Sequence, residues 1–373
     1  MHHKHPPLAR PALGQYARTE LAFVGSTCAR MEAVMRDWMQ QLGDYRTLLV
    51  TGEHTAPEVA TSIRSDRKHF TSSHASWNAF DDRLLGGQYD LALVNGNHYP
   101  AARQIVFVDE AKAGTLVRRK DQLSDVLAVV LVDTETVPDW LQQHVEAQES
   151  APAVLPFSAV DTLLPKLLEL LQAATPPLRA LILAGGKSER MGADKSRLVY
   201  RDGQTEVERL RDLCRSLELP VHLSVRDATF AANVADLPLV ADRFLGLGPA
   251  GAIASAFLSA PDAAWLVLAC DLPLLDEATL RTLLTARRPD RLATAVRGPG
   301  KPWPEPLVAI YEPRAYQRLL QFLSLGYACP RKLLINSDVA VVDLPDGRPL
   351  TNANTPEERE RVLGQIGVAP HGR

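Results

Sequence analysis

Cysteine is scarce and scattered: Cys28, Cys214, Cys270 and Cys329 are the only four in 373 residues, with no C-x-x-C spacing among them. That excludes a disulfide-stapled module and a zinc cluster. No stretch approaches the roughly 18 consecutive apolar residues of a membrane span, and the opening MHHKHPPLARP has no apolar core of a secretory signal. The expectation is a cytoplasmic chain without membrane contact. A surplus of one charge is missing too, with 41 basic against 44 acidic side chains and a formal net charge of −3. Bulk electrostatics therefore gives no reason to bind nucleic acid, and any anion site must be local. G-x-G-x-x-G is absent, G-x-x-x-x-G-K-[ST] cannot be completed, and there is no Ser-His-Asp pattern. What is present is an ordinary folding composition, 46% hydrophobic and 23% charged, in a chain long enough for two domains of about 100–200 residues each.

The clearest break is Ala173-Ala174-Thr175-Pro176-Pro177, where a leucine-rich helical run (Leu163 to Leu171) stops and an apolar strand begins at Leu178. It predicts domains at 1–172 and 178–373 joined by a linker at 173–177. On both sides short aliphatic runs alternate with amphipathic stretches, the signature of βαβ units. The predicted fold class is α/β, two domains, each a mostly parallel sheet flanked by helices. In the first half, strands are expected at Leu21–Val24, Thr47–Thr51, Leu91–Val94, Ile105–Val108, Leu127–Val132 and Ala153–Phe157, with helices near Ala29–Leu42 and Ala159–Leu171. In the second, strands are expected at Ala180–Leu183, Val221–Val225, Trp265–Ala269, Leu292–Val296 and Leu307–Tyr311, with helices near Thr205–Leu217, Ala250–Ser259 and Glu277–Ala286.

The strand that ends at Leu183 runs into Ala184-Gly185-Gly186-Lys187-Ser188-Glu189-Arg190-Met191-Gly192-Ala193-Asp194-Lys195. Glycines let consecutive amides point at a phosphate, and Lys187, Arg190 and Lys195 supply the opposing charge, which makes a triphosphate cradle. A bare Gly-Gly after a strand is by itself only a tight turn. Trp265–Ala269 leads into Cys270-Asp271-Leu272-Pro273, placing an aspartate beyond a buried strand, where a parallel-sheet enzyme keeps its chemistry. Asp271 can offer Mg²⁺ a hard oxygen while the metal bridges phosphates, or it can serve as a turn residue before Pro273. Asp242 is followed by Gly246-Leu247-Gly248-Pro249-Ala250-Gly251, whose glycines allow a helix N-terminus to approach an anion. Near the end, Asn352-Ala353-Asn354-Thr355-Pro356-Glu357-Glu358 contains a capping box, with Thr355 as N-cap, Pro356 at the first helical position and Glu358 three after the cap.

The string L-A-G-G-x-S-x-R-M-G-x-D-K resembles the signature loop of the nucleotidyltransferase family, in particular its molybdenum cofactor guanylyltransferase branch. Asp242 with G-P-A-G, C-D-L-P at 270–273, the strand Pro306–Tyr311 and N-A-N-T-P-E at 352–357 follow in the family's order. The resemblance implies nucleotide contacts from Leu183, Ala184, Gly185, Gly186, Lys195, Asp242, Gly248 and Asp271, with Arg190, Lys195 and Asp271 catalytic and Asp271 carrying Mg²⁺. Asn352 and Asn354 stand as a pterin or metal-shell hypothesis. One departure is Leu223-Ser224-Val225-Arg226-Asp227, where the family often has asparagine in an N-R-like pair, so base contacts are not carried over there.

The first half places Leu21-Ala22-Phe23-Val24-Gly25-Ser26-Thr27-Cys28-Ala29-Arg30-Met31-Glu32 at a Walker-type position, with Gly25 matched. Arg30, Met31 and Glu32 replace the second glycine, the lysine and the magnesium hydroxyl, so nucleotide hydrolysis is not expected there. With Val94-Asn95-Gly96 in place of V-E-G, residues 18–172 resemble the molybdopterin-guanine dinucleotide adaptor protein with a degenerate phosphate loop.

These resemblances imply Mg²⁺-dependent transfer of GMP from GTP to molybdenum-loaded molybdopterin, with release of pyrophosphate. Two alternatives stay open: a cytidylyltransferase on the same cofactor or a sugar-phosphate nucleotidyltransferase, and a non-catalytic cofactor carrier. A molybdoenzyme apoprotein or insertion chaperone is the implied partner, and a homodimer is expected by analogy.

Overall fold

Thr19–Val24 (β1) is buried along its whole length and apolar from Leu21 to Val24, because a central strand of a parallel sheet has helices on both faces. The computed structural model describes residues 11–52, 78–149, 151–184, 199–201, 203–226 and 237–366, and the backbone of the short antiparallel pair Ile63–Ser65 and Phe70–Ser72. By contacts within the chain, Ala12–Thr175 forms one unit and Pro176–Arg373 belongs to the other.

In the first unit β1 is joined by Thr47–Val50 (β2), Leu91–Asn95 (β3), Arg103–Val108 (β4), Val126–Leu131 (β5) and Ala153–Pro156 (β6), in the order β2-β3-β1-β4-β5-β6. All five pairings are parallel. The helix Cys28–Gln41 is capped by Thr27, whose side chain accepts from the Arg30 amide, and it buries Met31, Val34, Met35 and Trp38 at helical spacing. Trp38 meets Phe23 edge-on at 5.2 Å and donates its indole N–H to Asp161 at 2.8 Å. The helix expected over Ala159–Leu171 divides into a 3-10 turn, Phe157–Leu163, and an α-helix, Leu164–Ala173. Pro165 causes the change, since it has no amide with which to carry an α-helix back through residue 161.

The second unit contains Leu178–Leu183 (β7), Val221–Val225 (β8), Leu239–Ala241 (β9), Ala264–Ala269 (β10), Ala293–Arg297 (β11), Val308–Tyr311 (β12) and Val339–Asp343 (β13). Their order is β9-β8-β7-β10-β12-β11-β13. Only β12 runs antiparallel to its neighbours, β10 and β11. Alternation along β10 divides the core in two: Leu266 and Leu268 pack with Leu210 and Cys214 on one face, while Trp265 and Val267 pack with Ile253 and Phe257 on the other. The helices Ala79–Gly86, Ala113–Arg118, Asp139–Glu146, Arg314–Ser324 and Pro330–Ile335 and the strands β9 and β13 were not anticipated from the sequence.

His222 on β8 meets Trp265 edge-on at 5.1 Å. Burial, and then the nearby Arg179 cation, push its pKa below the ordinary value. The unfolded chain therefore takes up this proton first as pH falls, so the group costs stability from about pH 6.5 downward. His222→Gln is expected to lose less melting temperature than the wild type between about pH 7.5 and about pH 5.5; equal losses would remove His222 as the cause.

Candidate functional site

The chain order in the second sheet reverses at β7: β8 and β9 lie on one side of it and β10 on the other. Ligands of open α/β sheets bind outside the carboxyl ends of the strands at such a reversal. Register aligns those ends. Leu183 stands opposite both Ser224 and Ala269, and Val225 stands opposite Ala241. The Ala184 amide donates to the Ser224 carbonyl at 3.1 Å, and the Asp242 amide donates to Val225 at 2.9 Å. Asp242, Arg226, Ala184 and Asp271 thus leave four adjacent strands at the same edge of the sheet. Gly185, Gly186, Arg190 and Lys195 follow Ala184 in the chain and lie outside the described residues.

Asp271 is half-buried, and its carbonyl accepts from the Ala353 amide at 2.9 Å. That bond brings the Asn352–Asn354 stretch beside it. The capping box read from the sequence is present: the Glu358 amide donates to Thr355 Oγ1 at 3.3 Å, and Glu358 Oε2 accepts from the Thr355 amide at 3.3 Å and from Asn354 at 2.7 Å.

A second carboxylate at this edge was missed in the sequence. Because β12 is antiparallel, its first residue, Val308, stands opposite Leu268 near the end of β10, and the Ala269 amide donates to Leu307 at 3.3 Å. Glu305, just ahead of β12, therefore comes to the same edge as Asp271. Burial raises the Glu305 carboxyl above its ordinary pKa and the Asp271 charge adds to the rise, while the Leu307 amide and Arg331, 3.5 Å away, oppose it. The sequence signal was a glutamate directly before the Pro306–Tyr311 strand, and it has meaning only once that strand is known to run antiparallel.

Asp242 is held by its loop. Arg243 donates its amide to Ser255 Oγ at 2.8 Å, and that hydroxyl donates to the Gly251 carbonyl at 2.7 Å. A Cβ on Gly251 would lie 2.3 Å from the Phe244 carbonyl, so this glycine serves the packing of the loop on the helix Gly248–Ser259. Gly248 opens that helix with φ +56°, a conformation that favours glycine. Burial raises the Asp242 carboxyl above its ordinary pKa against the pull of Arg226, and Oδ1 is a buried acceptor without a partner among the described residues.

Mg²⁺ is usually bound through one or two carboxylates, with water and substrate phosphates completing its shell. Asp271, with Glu305 near enough to feel its charge, offers hard oxygen donors of the kind this ion takes, so these residues fit the ion.

The first unit has a comparable reversal at β1, and there the donors of the segment after β1 are bonded within the chain. Gly25, at φ +99° and too close to the Phe107 carbonyl to accept a Cβ, donates its amide to Asn97 Oδ1 at 3.1 Å. Arg30 donates to Asp109 at 2.6 Å, Ser26 donates to the same oxygen at 2.5 Å, and Asp109 is 1% exposed. Asn95, where the adaptor pattern has glutamate, donates to Glu32 at 3.1 Å.

Comparison with known proteins gives the class first: residues 180–340 match the family described as the MobA-like NTP transferase domain. The second unit is thus a domain of nucleotidyltransferase type. A molybdenum cofactor guanylyltransferase from Pseudomonas paraeruginosa is 34% identical over 196 residues, covering 50% of this chain and 94% of that protein. The chain belongs to the molybdenum cofactor guanylyltransferase family. A molybdenum cofactor biosynthesis bifunctional protein from Synechocystis is 33% identical over 191 residues, 51% of this chain, and the match spans about half of that protein's own length, 54%. Among solved structures, molybdopterin-guanine dinucleotide biosynthesis protein A from Archaeoglobus fulgidus aligns with a TM-score of 0.44 at 20% identity, over 51% of this chain and 98% of that one. No described helix is long and apolar enough to cross a membrane.

Proposed function

We propose that the second unit transfers GMP from GTP to the terminal phosphate of molybdenum-loaded molybdopterin. The observation that carries this reading is the alignment of Ala184, Asp242 and Asp271 at the carboxyl edge of strands that flank the chain reversal, at the start of a glycine- and cation-rich loop. An oxygen of the acceptor phosphate attacks the α-phosphorus of the nucleotide, and the bond from that phosphorus to the β-phosphate oxygen breaks to release pyrophosphate. The acceptor is already ionised, so no general base is needed; placement and charge neutralisation suffice. Gly185 and Gly186 amides, Arg190 and Lys195 hold the triphosphate and the charge of the departing pyrophosphate. Asp271 would hold Mg²⁺ with Glu305 beside it, and Asp242 supports the same edge. When bound, Mg²⁺ supplies neutralisation of the phosphate oxygens.

Incubation with Mg²⁺, molybdenum-loaded molybdopterin and an equal mixture of GTP and CTP is expected to yield the GMP-linked cofactor. CMP attachment would replace the base assignment, and absence of any nucleotide-linked product would overturn the reading.

The first unit, Ala12–Thr175, is read as an adaptor-like domain that does not turn over nucleotide. In support, the Gly25 amide and the Arg30 guanidinium, donors that a phosphate would use, are already taken by Asn97 and Asp109 from elsewhere in the chain. A fluorescent GTP analogue is accordingly expected to occupy a single site per chain and to lose it in Lys195→Ala. A second site that survives this substitution would return nucleotide binding to the first unit.

A further inference from the structure

The loop after Asp271 is held from outside by arginines. Arg209, on the helix Glu206–Ser216, donates through Nη1 to the Leu275 carbonyl at 2.7 Å and through Nη2 to the Leu272 carbonyl at 3.3 Å. Its Nε lies 3.0 and 2.9 Å from the two oxygens of Glu206. The pair is enclosed, with the Glu206 side chain 1% and the Arg209 side chain 12% exposed. Arg201 donates to the Pro273 carbonyl at 2.6 Å, so three carbonyls of one short loop are met by two guanidinium groups. The loop is fixed at its far end by Asp276, which caps the next helix by accepting from the Thr279 amide at 2.9 Å.

Stability alone does not call for this arrangement. Two buried charges lose their hydration, and a well-packed apolar pair in their place is often as stable or more so. What an apolar pair cannot do is hold two backbone carbonyls of the Asp271 loop at fixed positions. The planar fork of arginine does so, with its donors set by the carboxylate behind it.

We propose that Arg209, oriented by Glu206, is a positioning residue that acts through the Leu272 and Leu275 carbonyls to hold the Asp271 carboxylate at the nucleotide. The inference rests on the reading of Asp271 given under the proposed function. Groups that orient a metal-binding side chain typically change metal affinity or activity by about 10–100-fold when removed.

The test is binding of a fluorescent GTP analogue with and without Mg²⁺, which needs no turnover. Wild-type protein is expected to bind more tightly with the ion, and Asp271→Asn is expected to lose that gain. Arg209→Met should reduce the gain by about 10–100-fold and leave the metal-free affinity unchanged. Adding Arg209→Met to Asp271→Asn should then have no further effect, because residues that act through one another are not additive. Arg209→Lys, which keeps the charge without the fork, should restore the gain only in part. Since Arg209→Met leaves Glu206 buried without its partner, the double variant Glu206→Leu with Arg209→Met serves as the folded reference. A double variant with wild-type melting temperature and the full Mg²⁺-dependent gain would overturn the inference while leaving the proposed function standing. Wild-type protein and Asp271→Asn with the same response to Mg²⁺ would overturn the proposed function and this inference with it.

Discussion

Asp271→Asn is expected to lower turnover by about 10²–10³ while the fold is kept, the range typical of removing one electrostatic stabiliser from a preorganised site. The substitution preserves shape and the tie to the closing segment, since Ala353 donates to the backbone carbonyl of residue 271 and not to its side chain. It also removes one of the two charges crowded at this edge. With Asp271 neutral, the part of the Glu305 pKa rise that comes from Asp271 disappears. Activity at saturating GTP, measured beside the melting temperature, separates the two effects. Wild-type turnover would take Asp271 out of the site, and a large drop in melting temperature would mean that its role is structural.

Much of this site was legible in the chain because its residues leave the ends of strands. An apolar run followed by A-G-G or C-D-L-P marks both the strand and the residue beyond it, and the paired register of Leu183 with Ala269 then brings the two together. Glu305 was not legible in the same way. Its approach to Asp271 depends on β12 running against β10, and five residues of alternating or continuous apolar character read the same in either direction. Arg209 was hidden for a different reason. At an amphipathic helix's polar-looking position it has the sequence appearance of a solvated arginine, and only the packing shows it to be buried against Glu206 and two carbonyls. The first unit's loop shows a third case. Loss of the lysine and hydroxyl could be read from Met31 and Glu32, but that Asn97 and Asp109 take the Gly25 and Arg30 donors needed the parallel order β3-β1-β4, which brings residues about 70 to 80 positions apart to one end of the sheet.

Glu312→Ala is expected to destabilise the second unit by about 3–5 kcal/mol, the cost of leaving a buried ion without its partner. Glu312 is fully buried and Arg287 is 15% exposed; Nε and Nη2 of the arginine donate to the two carboxylate oxygens at 2.7 and 3.0 Å, and Nη2 also reaches the Pro176 carbonyl at 2.8 Å. Glutamine at 312 should cost less than alanine, because it keeps an acceptor for the guanidinium. The position on the sheet sets what else should change. Glu305 and Glu312 flank the same strand, and the pairing of Val308 with Leu268 and Tyr311 with Trp265 puts them at opposite ends of β10. Glu312 stands at the amino end of that strand, away from Asp271, so Glu312→Ala that remains folded should keep wild-type affinity for GTP and Mg²⁺. Urea unfolding and nucleotide titration on one preparation check both halves. A stability change below about 1 kcal/mol, the range of exposed ion pairs, would show that Arg287 regains solvent when its partner is lost. A loss of nucleotide affinity in the folded variant would show that strain at the amino end of β10 is transmitted to its carboxyl end, and the separation of structural from nucleotide-facing carboxylates drawn from the strand direction would fail.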